Sequence, residues 1–336
     1  MLSIVCPCHN EVDNLRLLHQ RICEALDPLG IRLELILVDD GSSDGTAWLI
    51  HQLAQQDGRV RGLILSRNFG HQAALTAGYA HARGDPVAVL DADLQHPPEL
   101  LPTMLKAWQA GADIVHAQRT GADGSPIPPR LGYRLWNRLA SVAIPCEVAD
   151  FRLMSRAAVD ALLSMPERRR FLRGMVAWIG FAQACVPYQQ DARHAGRPAY
   201  SIARRIALRI DSLLGFSAVP LRLAGWLGAI TLALGLAYAG WILITLAVAG
   251  REAAGIQSGW PALILTVLLL GGVQLLCLGV MAEYIGCVYD EVKQRPLYLV
   301  RERINLAESS DGPELPSARP PDQHAPPNAP DPGQNP

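Results

Sequence analysis

Short apolar runs alternate with helix-period segments through the first 120 residues of the chain. Each of the first four runs is followed by a stretch whose apolar positions recur at helical spacing, at 11–26, 44–56, 71–83 and 98–111. The runs themselves cover 2–6, 33–38, 62–65, 87–90 and 113–117. Strand, helix and strand in this rhythm predict βαβ units and a doubly wound, mostly parallel α/β sheet. No G-x-G-x-x-G follows any of the runs, which argues against a nicotinamide or flavin enzyme.

Two carboxylates one residue apart, Asp91 and Asp93, follow the apolar run at 87–90. Ligands of open α/β sheets bind at the carboxyl ends of the strands, so these acids are predicted to lie at an active site. A D-x-D pair on a strand exit can hold Mg²⁺ or Mn²⁺ and leave the ion open to the oxygens of a diphosphate. Taken alone, such a pair is more often a solvated turn.

The first two strands also end in polar loops. Residues 7–11 read PCHNE and residues 39–46 read DDGSSDGT. Their Asp, Asn and Ser side chains offer fixed acceptors and helix N-caps. Both loops are therefore expected at the same sheet edge as Asp91 and Asp93.

Two long stretches in the C-terminal third carry no charge. They lie between Arg222 and Arg251 and between Glu252 and Glu283, and each exceeds the roughly 20 apolar residues that cross a bilayer. We expect a transmembrane hairpin within 223–286, with spans at about 223–250 and 260–283. Two buried core helices are the alternative.

Basic residues flank the hairpin on its outer sides, whereas the connector holds only Arg251. By the positive-inside rule the catalytic domain and both termini are cytoplasmic, and the protein is a multi-pass protein of the inner membrane. The N-terminus lacks a charged leader, and an odd cysteine count of 7 fits a reducing compartment. The lipid bilayer is an expected partner, a homo-oligomer is expected, and no nucleic acid is.

The remaining segments are assigned by composition. Residues 1–200 form the catalytic domain, and 201–222 form a basic amphipathic helix at the membrane surface or, alternatively, a helix packed on that domain. Residues 287–308 return to the cytoplasm and dock on the catalytic domain or a neighbouring subunit. The proline-rich residues 309–336 are expected to be disordered.

Seven segments, in order along most of the chain, resemble family 2 glycosyltransferases, and within them the polyisoprenyl-phosphate glycosyltransferases such as bactoprenol glucosyltransferase and dolichol-phosphate mannose synthase. They are PCHNE (7–11), VDDGSSDGT (38–46), SRNFGHQAALTAG (66–78), DADLQHPPE (91–99), DFRLMSR (150–156), MPER (165–168) and EYIGCVYDEVKQRPLYLV (283–300). The resemblance implies a GT-A-type domain followed by a membrane anchor. It also implies an inverting transfer of sugar from a nucleotide sugar to a polyprenyl (undecaprenyl) phosphate, for cell-envelope glycan or lipid modification.

The resemblance assigns roles to individual residues. Base and ribose are held by Pro7, His9, Glu11, Val38 and Asp40, while Asp91, Asp93 and Gln95 place the metal and diphosphate. By its position after the run at 113–117, Arg119 is a candidate second cation for the diphosphate or, alternatively, an exposed loop arginine. The catalytic set is Asp93, Asp150 as the proposed base, and Arg152. Arg152 or Arg156 holds Asp150 or the acceptor phosphate. His9 stands where the family usually has Tyr or Phe.

The acceptor side departs from the family pattern, because the usual Ser-Lys or Thr-Lys is missing before the amphipathic helix. Arg193 or Arg197 can substitute for the lysine. UDP-glucose is the first candidate donor, with a modified UDP-sugar, UDP-N-acetylhexosamine or GDP-mannose as alternatives.

Two other functions remain open. Residues 190–193 resemble the start of the Q-x-x-R-W signature of processive polysaccharide synthases, but His194 replaces the Trp and two spans are too few for a polymer channel. A non-enzymatic membrane scaffold that kept the fold need not retain the complete acid set that this chain has.

Overall fold

A single mixed sheet with helices on both faces forms the first part of the molecule, and two long helices follow. The computed structural model describes residues 1–120, 148–189, 219–253 and 259–306. The strands are β1 (Leu2–Cys8), β2 (Leu33–Asp39), β3 (Val60–Leu65), β4 (Val87–Val89), β5 (Ile114–Arg119), β6 (Val148–Met154), β7 (Gln183–Tyr188) and β8 (Val300–Ile304). The helices are α1 (Val12–Leu26), α2 (Thr46–Gln56), α3 (His71–His81), α4 (Leu101–Gln109), α5 (Arg156–Ser164), α6 (Leu172–Trp178), α7 (Val219–Ala253) and α8 (Gly259–Val292).

The strands of the sheet lie in the order β7-β5-β6-β4-β1-β2-β3-β8. Strands β1 to β4 are parallel to one another, and β5 is parallel to β7. Strand β6 runs antiparallel between β4 and β5, and β8 runs antiparallel along the edge strand β3. The sheet is thus mostly parallel, as the alternation of apolar runs predicts.

The two faces of the sheet have separate apolar cores. Helices α1, α2 and α4 cover one face, where Leu15, Leu18 and Ile22 of α1 are buried at helical spacing. Helices α3, α5 and α6 cover the other face. Each fully buried aliphatic side chain contributes about 1.5 to 3 kcal/mol to stability. This double winding confirms the predicted GT-A-type fold class.

The winding places a switch point between β1 and β4. From β1 the chain moves through β2 to β3 with α1 and α2 on one face, and then α3 crosses on the other face back to β4, next to β1. Ligands of such sheets bind in the crevice that opens where the winding reverses. The loops after Cys8 and after Val89 border that crevice.

By length and composition alone, helices α7 and α8 are each long and apolar enough to cross a membrane. The qualifying stretches are Leu221–Tyr238 and Leu269–Val292. Cys277 Sγ of α8 lies 3.4 Å from the carbonyl oxygen of Ala224 near the start of α7, so the two helices are antiparallel. Both helices extend beyond the predicted spans: α7 begins at Val219, and α8 continues to Val292.

The C-terminal end of α8 is tied to the catalytic domain. Arg169 Nη2 lies 2.8 Å from Asp290 Oδ2, and the Arg168 N–H donates to Glu291 Oε1 at 2.8 Å. Strand β8 then joins the sheet beside β3. The C-terminal segment therefore contacts the domain predicted to be catalytic, which is one of its two expected docking partners.

The five predicted strands and the four helices between them are present with boundaries shifted by a few residues. Strands β6, β7 and β8 were not predicted. The amphipathic segment up to residue 218, the connector 254–258 and the tail from residue 307 lie outside the described residues.

Candidate active site

The loops after β1 and β2 hold each other at the carboxyl edge of the sheet. The Asn10 N–H donates to Ser42 Oγ at 2.9 Å, and the Ser43 N–H donates to Asn10 Oδ1 at 2.9 Å. Asn10 has a left-handed φ of 58°, a conformation that Asn tolerates better than most residues. The Glu11 N–H donates to Thr46 Oγ1 at 3.0 Å, which joins the start of α1 to the start of α2. The two loops therefore form one pocket wall.

Asp40 fixes a third loop to this wall. Its two carboxylate oxygens accept the N–H groups of Phe69 and Gly70 at 2.7 and 2.9 Å. Gly41 must be a glycine here, because it has φ +67° and an added Cβ would lie 2.5 Å from the backbone of Arg67. The carboxylate of Asp40 thus holds the loop that leads into α3.

The predicted nucleotide residues differ in their exposure. Pro7 and Val38 are paired neighbours in the sheet and are buried. His9 is exposed, and its Nδ1 lies 2.9 Å from the carbonyl oxygen of Asp40. Glu11 is half-buried beside it. All five predicted residues lie at the ends of β1 and β2 or in the loops that follow them, and His9 and Glu11 are the more accessible side chains.

The carboxylates of Asp91 and Asp93 lie on the other side of the switch point from the loops after β1 and β2. Both residues are half-buried. The Gln95 N–H donates to Asp93 Oδ1 at 3.2 Å. Between them Leu94 has φ 61°, which costs a non-glycine residue roughly 1 to 3 kcal/mol, and its buried side chain anchors the turn. The strained turn keeps the two acids at the same edge.

Asp91 has histidines on both sides. His96 Nδ1 lies 3.3 Å from Asp91 Oδ2, and His71 Nε2 lies 3.7 Å from Asp91 Oδ1. His96 is buried, and its ring stacks on Phe151 with centroids 5.4 Å apart. Neither histidine was predicted from the sequence, although His96 directly follows the D-A-D-L-Q segment and His71 follows N-F-G.

Asp91 and Asp93 are suited to a divalent metal. Oδ1 of Asp91 is buried and accepts no hydrogen bond from the described residues, which leaves a buried anionic oxygen without a donor among them. Carboxylate oxygens are the ligands that Mg²⁺ and Mn²⁺ prefer. The donor set therefore fits the ion predicted from the sequence.

Asp150 is a buried carboxylate held by two arginines. Arg152 Nη2 donates to Asp150 Oδ1 at 2.6 Å, while Arg173 Nε and Nη2 donate to Oδ1 and Oδ2, each at 3.0 Å. Burial by itself raises the pKa of Asp150, but the Arg173 charge, the His71 hydrogen bond and the Arg152 charge outweigh it and hold the pKa well below its usual range. Such a carboxylate is a poor proton acceptor.

His71 lies between the two acidic groups, with Nε2 3.5 Å from Asp150 Oδ2. Burial lowers the pKa of His71, whereas the hydrogen bond to Asp150 and the Asp91 charge raise it, and the net pKa is above its ordinary value. Arg173 was not predicted either, since it follows Asp150 by 23 residues and no spacing rule links the two.

Arg119 reaches the same edge from β5. It is paired in register with Tyr188 of β7. Burial raises the pKa of Tyr188, and the charges of Arg119, Asp91 and Asp93 all act on it. The structure thus brings Arg119 to the neighbourhood of the two acids, as the sequence predicts.

Arg156 does not lie at this edge, which disagrees with its predicted role at the acceptor phosphate. Its N–H donates to Asp85 Oδ1 at 3.0 Å, its Nη1 donates to the carbonyl oxygen of Ala82 at 2.7 Å, and its Nε donates to Asp160 at 2.9 Å. Strand β6 is antiparallel to β4, so it begins near the carboxyl edge at Asp150 and ends at the opposite edge of the sheet, just before Arg156. Arg193 and Arg197 lie outside the described residues.

A doubly wound sheet whose switch point combines a metal-binding acid pair with a buried acid-arginine cluster suits an enzyme that binds a diphosphate and a second anion. Comparison with known proteins identifies this enzyme as a glycosyltransferase. Residues 3–163 match the model of glycosyl transferase family 2.

Relatives of this kind span nearly the whole chain. An uncharacterized glycosyltransferase of Synechocystis sp. is 40% identical over 309 residues, 91% of this chain and 96% of the relative. A prophage-derived bactoprenol glucosyl transferase of Shigella flexneri is 36% identical over 305 residues, 90% of this chain and 97% of the relative. The solved structure of glucosyl-3-phosphoglycerate synthase from Mycobacterium tuberculosis is 20% identical, with a TM-score of 0.43 over 64% of this chain and 76% of that chain. The chain belongs to glycosyl transferase family 2.

Proposed function

We propose that this glycosyltransferase moves a sugar from a nucleotide sugar, with UDP-glucose as the first candidate, to polyprenyl (undecaprenyl) phosphate at the inner membrane. The observation that carries the proposal is the placement of two charged clusters at one sheet edge. They are the acid pair Asp91 and Asp93, which is suited to a metal, and the ion pair Asp150 and Arg173. The first suits the donor diphosphate, and the second suits an acceptor phosphate. The product serves glycan or lipid modification of the cell envelope.

On the donor side, His9 and Glu11 would contact the nucleoside, and Asp91, Asp93 and Gln95 would hold Mg²⁺ or Mn²⁺ together with the diphosphate. The bound ion supplies Lewis-acid stabilisation of the charge that develops on the leaving diphosphate. Arg119 adds a second positive charge at the same place, which lowers the free energy of the departing group further.

On the acceptor side, the substrate needs orientation more than deprotonation. A phosphate monoester has a second pKa of about 6, so it is already an anionic nucleophile. Asp150 is therefore assigned to orient the arginines, not to take a proton. The Arg152 side chain is 2% exposed, whereas that of Arg173 is 35% exposed. Arg173 takes the role at the phosphate that was predicted for Arg156, with Arg193 or Arg197 as further candidates.

The reaction is a single displacement. A phosphate oxygen of the acceptor attacks the anomeric carbon, the bond from that carbon to the donor diphosphate breaks, and its electron pair leaves with the nucleoside diphosphate. Because no covalent enzyme intermediate forms, the anomeric configuration inverts.

The acceptor class and the location rest on two further observations. Relatives that align with 90% of this chain carry the name bactoprenol glucosyl transferase. Helices α7 and α8 are long and apolar enough to hold the enzyme at a bilayer. Tight contacts between the end of α8 and the 168–169 segment keep the catalytic domain beside the membrane anchor.

Membranes that contain the full chain should be incubated with a panel of radiolabelled nucleotide sugars and extracted with organic solvent. We expect one sugar, glucose from UDP-glucose first, to appear in an acid-labile polyprenyl-phosphate product. Membranes with the Asp93→Asn variant are the matched control and should give none above background. Label in long polymer instead of lipid would favour a processive synthase, and no transfer from any donor would contradict the proposal.

A further inference from the structure

The start of helix α3 is fixed to both halves of the active site. On the donor side, the Phe69 and Gly70 N–H groups donate to Asp40. On the acceptor side, the Leu172 N–H donates to Gln72 Oε1 at 3.1 Å, which joins α3 to the first turn of α6 and thus to the helix that carries Arg173. His71, the first residue of α3, lies between these two attachments.

The ring of His71 contacts one carboxylate from each half. The same atom, Nε2, lies 3.7 Å from Asp91 Oδ1 and 3.5 Å from Asp150 Oδ2. Both distances exceed the roughly 3.2 Å limit of a good N–H···O hydrogen bond. One N–H cannot bond fully to two oxygens at once, so the two acids compete for the single donor of the ring.

The two acids have different further contacts. Asp91 is contacted by His96, and its Oδ1 is the oxygen suited to the metal. Asp150 is contacted by Arg152 and Arg173. Any change that draws the His71 N–H toward Asp150 leaves Asp91 Oδ1 open, and any change that draws it toward Asp91 places a hydrogen-bond donor where the metal should bind.

We propose that His71 is a positioning residue that couples the metal-binding acid Asp91 to the acceptor-side acid Asp150. Asp150 with its arginines draws the His71 N–H away from Asp91 and so keeps the donor subsite ready for the metal. The inference rests on the proposed function for the identity of the two subsites. It predicts that changes on the acceptor side alter metal affinity through the imidazole.

A double-mutant cycle on metal binding tests this coupling. The full-length protein in detergent is titrated with Mn²⁺ alone, and free Mn²⁺ is followed by electron paramagnetic resonance for the native chain, Asp150→Asn, His71→Leu and the double variant. With His71 present, Asp150→Asn should weaken Mn²⁺ binding, because the imidazole then turns to Asp91. In the His71→Leu background the same change should have an effect at least about threefold smaller, the interaction expected of groups in contact.

Controls separate coupling from a folding defect. His81→Leu, at the other end of α3, should leave Mn²⁺ affinity unchanged, since His81 contacts the carbonyl oxygen of Ala77. His71→Gln, which keeps an N–H donor, should restore part of the interaction. If His71→Leu does not fold, His71→Asn replaces it in the cycle, because its shorter side chain cannot reach both acids.

The outcomes distinguish the two proposals. Equal effects of Asp150→Asn with and without His71 would overturn the coupling while leaving the proposed reaction intact. A native protein that binds no Mn²⁺ contradicts the metal role of Asp91 and Asp93 and, with it, the coupling. Coupling without any labelled polyprenyl-phosphate product contradicts the proposed function alone.

Discussion

At the scale of single residues, Asp91 and Asp93 differ in their surroundings although one residue separates them. Asp91 lies between His96 and His71, and within the described part of the chain its Oδ1 accepts no hydrogen bond. Asp93 accepts a backbone N–H across the strained turn at Leu94. The two carboxylates are therefore held by different parts of the fold, and one can be altered without moving the other.

Replacing Asp93 with Asn should lower turnover by about a hundredfold or more, because the charge on the departing diphosphate is then less compensated. Turnover is measured as labelled lipid formed in membranes with and without a chelator. Asp160→Asn is the matched control. Asp160 forms an exposed i,i+4 pair with Arg156 on α5, so its loss should change activity little. Full activity of Asp93→Asn in the presence of the chelator would contradict the metal assignment.

The acids of the site could be predicted from the sequence, but the side chains that hold them could not. Asp91 and Asp93 follow a buried strand directly, so the position of the strand end locates them. His71 and Arg173 reach the site only because α3 and α6 lie on the same face of the sheet and the Leu172 N–H donates to Gln72 of α3. Arg156 shows the converse. It is close to Asp150 in sequence, but strand β6 carries the chain from one edge of the sheet to the other between them.

At the scale of elements, the strands with plain apolar runs were predictable, whereas β6, β7 and β8 were not. Strand β6 carries Asp150 and Arg152 inside its sequence, and these charges are buried by pairing with each other. Strand β8 reads VRERI, and the sheet edge leaves Arg301 and Glu302 exposed. Charged strands of this kind depend on tertiary pairing that no local pattern records.

Strand β8 has an anchor at its end. Asn305 has a left-handed φ of 54°, and its Nδ2 donates to the carbonyl oxygens of Ala54 and Val60 at 2.9 and 3.0 Å. These bonds join the segment after α8 to both α2 and β3. Asn305 therefore fixes the chain that follows α8 to the catalytic sheet.

Replacing Asn305 with Gly keeps the left-handed backbone but removes both bonds, at a cost of about 1 to 3 kcal/mol. Hydrogen-deuterium exchange of residues 300–304 should become roughly tenfold faster or more, because the strand opens more often. His51→Gln, which removes an exposed contact with Glu302 of the same strand, is the control and should change the exchange rate little. Unchanged exchange in Asn305→Gly would mean that β8 is held by its backbone pairing alone.

At the scale of the whole molecule, the catalytic sheet and the antiparallel pair α7 and α8 meet on one side. The end of α8 contacts Arg168 and Arg169 and then leads into β8, so the catalytic domain lies on the side where α8 ends and α7 begins. The basic residues that flank the pair lie near the start of α7 or after the end of α8 in the sequence, and so belong to this same side. The positive-inside rule predicts that this side is cytoplasmic, where nucleotide sugars would reach the enzyme.

Labelling with a membrane-impermeant maleimide tests this orientation in intact cells and in inside-out vesicles. Ser258→Cys, in the connector, should react only in intact cells made permeable at the outer membrane. Ser310→Cys, in the tail, should react only in inside-out vesicles. The exposed native Cys185 on β7 provides an internal cytoplasmic reference, and mass spectrometry of the labelled peptides reads each position separately. Reaction of the connector together with Cys185 would place both on one side and rule out a hairpin that spans the membrane, whereas the fully reversed pattern would separate the active site from the cytoplasmic donor.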